Sequence, residues 1–265
     1  MARSRLRTWL ALSAAILSVA SVLAAAPATA ATTGNQGVAT TTLAEHLLET
    51  LAGARRWVLR DDHPLDGDAH GHASGFLYQV EAESVLAFED GTEVTLRAGE
   101  AAWMPWGVDH LHRRPSGTRG GTDVAAEHVT GAGDGGGGPR IWAFLLETES
   151  ESRRPGARWI APDFRGLGDG AYTARLAREV FTPGAATSPR RHAGPELLYF
   201  QAGRWEIRDP AGRAVVDGER AILVDPRVPY ALRNAGDQPA GLLRLSLVPT
   251  DRPPAEDLPP DALDE

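Results

Sequence analysis

The chain repeats itself, and the repeat restricts what it can fold into. Residues 76–105 (FLYQVEAESVLAFEDGTEVTLRAGEAAWMP) can be laid over residues 197–226 (LLYFQAGRWEIRDPAGRAVVDGERAILVDP) with one short gap. Tyr78 falls on Tyr199 and Gly99 on Gly218. Each copy runs as short apolar stretches broken by Gly, Asp and Pro turns. Within a stretch the alternation is that of a half-buried strand: Val94 and Leu96 interleave with Glu93, Thr95 and Arg97. A chain doubled in this way is predicted to be all-β, two similar barrels in tandem.

Strand signals fill both blocks. The first holds 57–60, 75–80, 84–90, 92–99, 101–105, 110–114 and 141–149. The second holds 172–181, 195–203, 204–209, 213–217, 220–225, 230–234 and 241–249. Ahead of them, residues 41–54 (TTLAEHLLETLAGA) space Leu43, Leu47, Leu48 and Leu51 as a helix does. Thr42 is placed to cap it, with Glu45 three residues on, so a short helix is predicted, with His46 a structural residue on it. The Gly-rich run 115–139 predicts a mobile loop, 151–170 a linker, and the acidic, Pro-rich tail 251–265 an unstructured end. Domains are therefore expected at 41–150 and 171–250.

Arg3, Arg5 and Arg7 precede an apolar run that ends at Ala28-Thr29-Ala30, a small-x-small pattern. This predicts a secretory signal peptide over 1–30 and a secreted, extracytoplasmic protein. No later segment is apolar enough to span a bilayer. Removing 1–30 removes three arginines and takes the net charge from −8 to −11. Net charge of that sign excludes nucleic acid and anionic lipid as charge-driven partners and leaves a small-molecule ligand as the expected one. The absence of cysteine excludes disulfides, thiolate nucleophiles and thiolate metal sites. Any metal must rest on His, Asp, Glu or water. No nucleophile-elbow, phosphate-loop, HExxH or dinucleotide motif is present.

The remaining chemistry lies in a few of the eight histidines. His70 and His72, two apart, point the same way from extended backbone. His110 follows the turn Pro105-Trp106-Gly107, and His112 shares its face. If the two segments are neighbours, His70, His72 and His110 converge, with His112 a substitute or deeper member. Such a centre suits Fe, Mn, Cu, Ni or Zn. On spacing alone, polar residues in a glycine-rich loop are the commoner explanation of the first pair. Phe76, Tyr78, Trp103 and Trp106 flank the candidate site and either line a ligand pocket or pack as core. Asp109 either orients a ligand or solvates a turn. Arg113 and Arg114 either attract a carboxylate or carry plain surface charge. In the second block, Glu196 four residues after His192 offers a candidate acid/base pair, a weak signal by itself.

These motifs resemble those of the cupin family, and the doubled chain resembles a bicupin. The family's second motif is matched by Gly99, Pro105, Gly107 and His110, with Arg114 where the family has Asn. Its first motif is matched in part. His70 and His72 stand at two ligand positions, and the family's Glu falls at Phe76 or Leu77, neither acidic. Pro64 replaces the opening glycine, and the closing glycine is absent near Glu83. The resemblance implies jelly-roll (double-stranded β-helix) barrels and a divalent transition metal on His70, His72 and His110, with Glu81 a replacement if the register shifts. In the second block Gly184, His192, Glu196 and Gly203 match the first motif, and Arg190 stands at its first histidine. Counted without gaps, Val224, Pro226, Pro229 and Arg233 stand at the Pro, Gly, His and Asn of the second motif, and a short gap brings in Tyr230 or Asn234. A degenerate, metal-free second site at His192, Glu196 and Tyr230 follows. The resemblance further implies dioxygenase-like chemistry, or isomerase or decarboxylase chemistry, and a homodimer. Loss of ligands in the second block favours instead a non-catalytic protein that binds a small molecule or partner.

Overall fold

The computed structural model describes residues 30–31, 37–62, 69–115 and 140–263. Residues 1–29 of the expected signal peptide and nearly all of the Gly-rich stretch 115–139 lie outside them. In chain order the strands are β1 (Ala30–Ala31), β2 (Val38–Leu48), β3 (Arg56–Asp62), β4 (Gly75–Glu81), β5 (Ser84–Phe88), β6 (Glu93–Leu96), β7 (Ala101–Met104), β8 (His110–Arg113) and β9 (Arg140–Glu147). A four-residue helix α1 (Glu149–Ser152) follows. Then come β10 (Ala157–Ile160), β11 (Tyr172–Phe181), β12 (Arg190–His192), β13 (Glu196–Ala202), β14 (Arg204–Asp209), β15 (Gly212–Asp217), β16 (Arg220–Val224), β17 (Ala231–Asn234), β18 (Ala240–Pro249) and β19 (Ala255–Asp257).

These strands build two antiparallel jelly-roll barrels, so the all-β, tandem architecture expected from the repeat is present. In the first, a five-stranded sheet of order β10-β3-β9-β4-β7 faces a three-stranded sheet, β6-β5-β8. In the second, a six-stranded sheet of order β1-β2-β11-β18-β13-β16 is joined by β15-β14-β17 and by the pair β12-β19. The period of two sorts the side chains. From β4, β7 and β9, Leu77, Met104, Ile141, Ala143 and Leu145 fill the first barrel with Leu86 and Leu96. Their neighbours Phe76, Tyr78, Trp103, Trp142 and Phe144 point the opposite way and meet Leu176, Tyr199, Leu245 and Leu247 of the second large sheet. Trp142 and Tyr199 touch edge to face at 4.8 Å. The two large sheets are thus buried on both faces, which is why β9 and β13 read as near-continuous apolar runs.

Three expectations are corrected. Residues 41–54 are not a helix: β2 pairs along its length with β11, from Tyr172↔Leu48 to Phe181↔Val38. An isolated helix of that length is marginal in water, whereas β11 offers a ladder of backbone partners and a core for Leu43. The segment belongs to the second barrel's sheet although it precedes the first barrel. The linker reciprocates, since its β10 pairs with β3 of the first barrel. The tail is structured as well. β19 pairs with β12, Leu258 N–H donates to Pro189 O at 2.9 Å, and Leu263 is buried.

Candidate metal centre

The segment ahead of β4 is bound to the turn between β7 and β8 by its backbone. His70 N–H donates to His110 O at 3.1 Å, His110 N–H returns a bond to His70 O at 3.0 Å, and Gly107 N–H donates to His72 O at 3.0 Å. On β8 the alternation turns His110 and His112 inward and leaves Arg113 outside, paired with Glu93. The rings therefore gather. Centroids lie 4.6 Å apart for His70 and His110, 5.4 Å for His70 and His112, 4.9 Å for His110 and His112, and 5.1 Å for His72 and His110. One nitrogen from each of His70, His110 and His112 falls within 4.8 Å of the others. The tightest triad takes His112 where the motif spacing takes His72, and His72 stands at its edge.

Two carbonyls set the tautomers. Val108 O lies 3.2 Å from His110 Nδ1, and Ala73 O lies 2.8 Å from His72 Nδ1. A carbonyl only accepts, so Nδ1 carries the proton in each, and in the neutral ring Nε2 keeps the lone pair. The donor set fits a divalent transition metal. It offers imidazole nitrogens on two backbone-linked segments, within 4.8 Å of one another, where ligands bound at ~2.1 Å stand ~3–3.5 Å apart.

A cavity of about 210 Å³ adjoins the rings, with His70 and His72 in one wall and Ala143 and Leu145 beneath. Arg60 and Glu147 close another side. Arg60 Nε and Nη2 donate to the two Glu147 oxygens at 2.9 and 3.0 Å. Its other N–H groups meet the carbonyls of Glu151, Arg154 and Pro155 at 3.3, 3.2 and 2.9 Å. All five donors are engaged, so this guanidinium closes the wall and offers a ligand no free N–H. Sequence reasoning missed the pair. Its signal was a lone acid ending the apolar run IWAFLLE, since a charge in a buried strand requires a partner.

Other expected residues lie elsewhere. Phe76, Tyr78 and Trp103 are on the opposite face of the sheet from the histidines, in the core between the barrels, because consecutive strand residues face opposite sides. They do not line the cavity. His46 stacks on Trp103 at 4.7 Å, and burial lowers its pKa. Trp106 is 71% exposed on the β7–β8 turn and its indole N–H reaches Glu151 at 3.4 Å. Asp109 is exposed, with its carboxylate over Gly71. Glu81 is at the far end of β4, paired with Arg140 at 3.9 Å, and is no replacement ligand.

The second barrel repeats the backbone arrangement. Arg190 and Tyr230 exchange two hydrogen bonds of 3.0 Å as His70 and His110 do, which makes Tyr230, not Pro229, the counterpart of His110. His192 then corresponds to His72. Glu196 pairs with Val224 and Ser246 as Gly75 pairs with Met104 and Leu145, so the first barrel's counterpart of this Glu is Gly75, not Phe76 or Leu77. His192 Nδ1 lies 2.7 Å from Glu196 Oε1. Tyr230 donates to Glu196 Oε2 at 2.5 Å, as does Arg244 Nη1 at 2.7 Å. Arg244 also forks onto Glu179, with both bonds at 2.9 Å. Burial alone would raise the Glu196 pKa, but Arg244, then His192, then hydrogen bonds from His192 and Tyr230 bring it to about 2. Burial pushes the Tyr230 hydroxyl well above its usual range.

No family model matches the chain, and no curated protein matches it. Among solved structures it is similar to the polyketide cyclase RemF of Streptomyces resistomycificus, at 22% identity over 36% of this chain and 69% of that one, with a TM-score of 0.30. It is similar to a cupin-like protein of Thermotoga maritima, at 22% identity over 32% and 64%, with a TM-score of 0.30. It is also similar to the oxalate decarboxylase OxdC of Bacillus subtilis, at 12% identity over 87% and 77%, with a TM-score of 0.48. These neighbours include cupin-family proteins, and at such scores they carry nothing about activity.

Proposed function

We propose that the chain is a secreted metalloprotein whose first barrel holds one divalent transition metal on His70, His110 and His112, with His72 beside them. In this proposal it turns over a small organic molecule by dioxygenase-like chemistry. The observation that carries the reading is the approach of the three imidazole nitrogens to within 4.8 Å of one another beside a cavity. When bound, the metal supplies Lewis-acid and redox chemistry that neutral imidazoles lack. The chain's own residues do the rest. Val108 O and Ala73 O hold His110 and His72 in the Nε2 lone-pair form. Ala143 and Leu145 offer apolar contact. Glu147 and three carbonyls saturate Arg60, so a substrate takes its polar anchor from His70 and His72 or from the charged lining residues Asp61, Glu151 and Arg154. At about 210 Å³ the cavity is below the ~300–1,000 Å³ of drug-sized ligand sites, which favours a small metabolite.

The test is elemental analysis of tag-free protein beside a His70→Ala/His110→Ala double variant. About one equivalent of metal in the parent and little in the variant is expected. Iron, copper, nickel or manganese then leads to oxygen-consumption assays against small organic acids and phenols. No metal in either protein, after incubation with each candidate ion, overturns the reading in favour of a non-catalytic binding protein. Secretion is tested by the mass of protein recovered from culture medium, with a new N-terminus expected at Ala31.

A further inference from the structure

The two barrels place different side chains at one equivalent position. Gly75 stands opposite Leu145 on β9, and Glu196 opposite Ser246 on β18. Two residues back along each strand, on the same inner face, Ala143 corresponds to Arg244. Ala143 lies beneath the cavity beside the histidines. In the second barrel, that place carries a long guanidinium side chain that is 7% exposed. Its Nε and Nη2 reach both oxygens of Glu179, and its Nη1 reaches Glu196 and the Tyr230 hydroxyl. Glu179 and Glu196 are 5% and 2% exposed. Two carboxylates that deep in a barrel need a cation between them, because burial costs each charge most of its solvation.

We infer that Arg244 is the second barrel's built-in cation: it stands between Glu179 and Glu196, which would otherwise draw together on a divalent metal. The native second barrel rejects metals because its cation is covalent and cannot be exchanged. Without Arg244, two buried carboxylates, the Tyr230 hydroxyl and the neighbouring His192 remain. That is an oxygen-rich set suited to a hard divalent cation such as Mn²⁺. The inference is independent of whether the first barrel holds a metal.

The experiment is run in the His70→Ala/His110→Ala background, so that the first barrel has lost two of its three clustered histidines. Bound Mn²⁺ is counted by loss of the free-ion EPR signal, and thermal unfolding is followed with and without Mn²⁺. With Arg244 intact, no Mn²⁺ binds and the melting temperature does not respond. Arg244→Met binds close to one equivalent and melts higher with Mn²⁺ than without. Arg244→Lys, which keeps a positive charge, binds none. Mn²⁺ binding with Arg244 intact overturns the inference, because it shows a site already open. So does an Arg244→Met chain that folds but takes no metal. An Arg244→Met chain that stays unfolded even with Mn²⁺ overturns it equally, since the metal is expected to replace the lost cation.

Discussion

The backbones of His70 and His110 exchange two hydrogen bonds, and their rings lie 4.6 Å apart. The main chain therefore brings the rings together, and the side chains are not needed to hold the segments. Replacing both histidines by alanine should leave the fold and remove the metal. Saturating divalent metal at ~100 times Kd is expected to stabilise the parent by about 2.7 kcal/mol, a rise of roughly 5–10 °C in Tm for a chain of this size. Differential scanning calorimetry should show that rise in the parent and none in His110→Ala. An equal rise in both would place the metal elsewhere.

Gly75 lies where the second barrel has Glu196, yet the first barrel has no room for a side chain there. A Cβ at Gly75 would come within 2.2 Å of Phe144 O and 2.8 Å of Leu145 Cα, both backbone atoms of the paired strand. Restoring an acidic ligand by Gly75→Glu should therefore prise β4 from β9 and give no fourth ligand. Even Gly75→Ala should cost more than about 2 kcal/mol in urea unfolding, in the range of overpacked cores. A Gly75→Glu chain with parental stability and tighter metal binding would refute this.

Much of this was legible in the sequence because strand periodicity is local. The limits of β11 and β14 match the expected segments, 172–181 and 204–209. The meeting of His70 with His110 was legible from spacing and turn placement, but the third member was not: the spacing takes His72, and the tightest group takes His112. Partner choice was not legible. Val38–Leu48 has helical spacing of its leucines and becomes a strand only because β11, over a hundred residues later, has an open edge. Face was not legible either, since Phe76 and Trp103 adjoin the site in sequence but look away from it. That gives a discriminating pair. Phe76→Ala and Trp103→Ala should each cost about 3–5 kcal/mol, as large core truncations do, and leave metal stoichiometry unchanged. Metal loss without loss of stability would return them to the site.

The Arg60–Glu147 pair locks β3 to β9 and to the segment after α1, with Glu147 buried. Arg60→Met leaves that carboxylate without its guanidinium, which should cost about 3–5 kcal/mol. Replacing both, as Arg60→Met/Glu147→Leu, removes the stranded charge and should recover most of the loss. Chemical unfolding of the two variants checks the sign. A double variant no better than the single would mean that the hydrogen bonds to the carbonyls of residues 151, 154 and 155, not the ion pair, set the cost.

Acid should act on the second barrel through Glu196. Its pKa is about 2 in the fold against an ordinary 4.5, so the folded state favours the charged carboxylate. That contribution is complete above pH 4.5 and drains away as the pH falls from there towards 2. A shift of this size corresponds to about 3 kcal/mol, at about 1.4 kcal/mol per unit. Glu196→Gln removes the titration and leaves part of Arg244 facing a neutral amide, so it should be less stable at pH 7 by about 3–5 kcal/mol. Its stability should also fall less steeply between pH 5 and 3 than the parent's, because the group that takes up the proton is gone. Urea unfolding at pH 7, 5, 4 and 3 measures both effects. Parallel curves for parent and variant would show that Glu196 is not the acid-sensitive group and that other carboxylates dominate the acid limb.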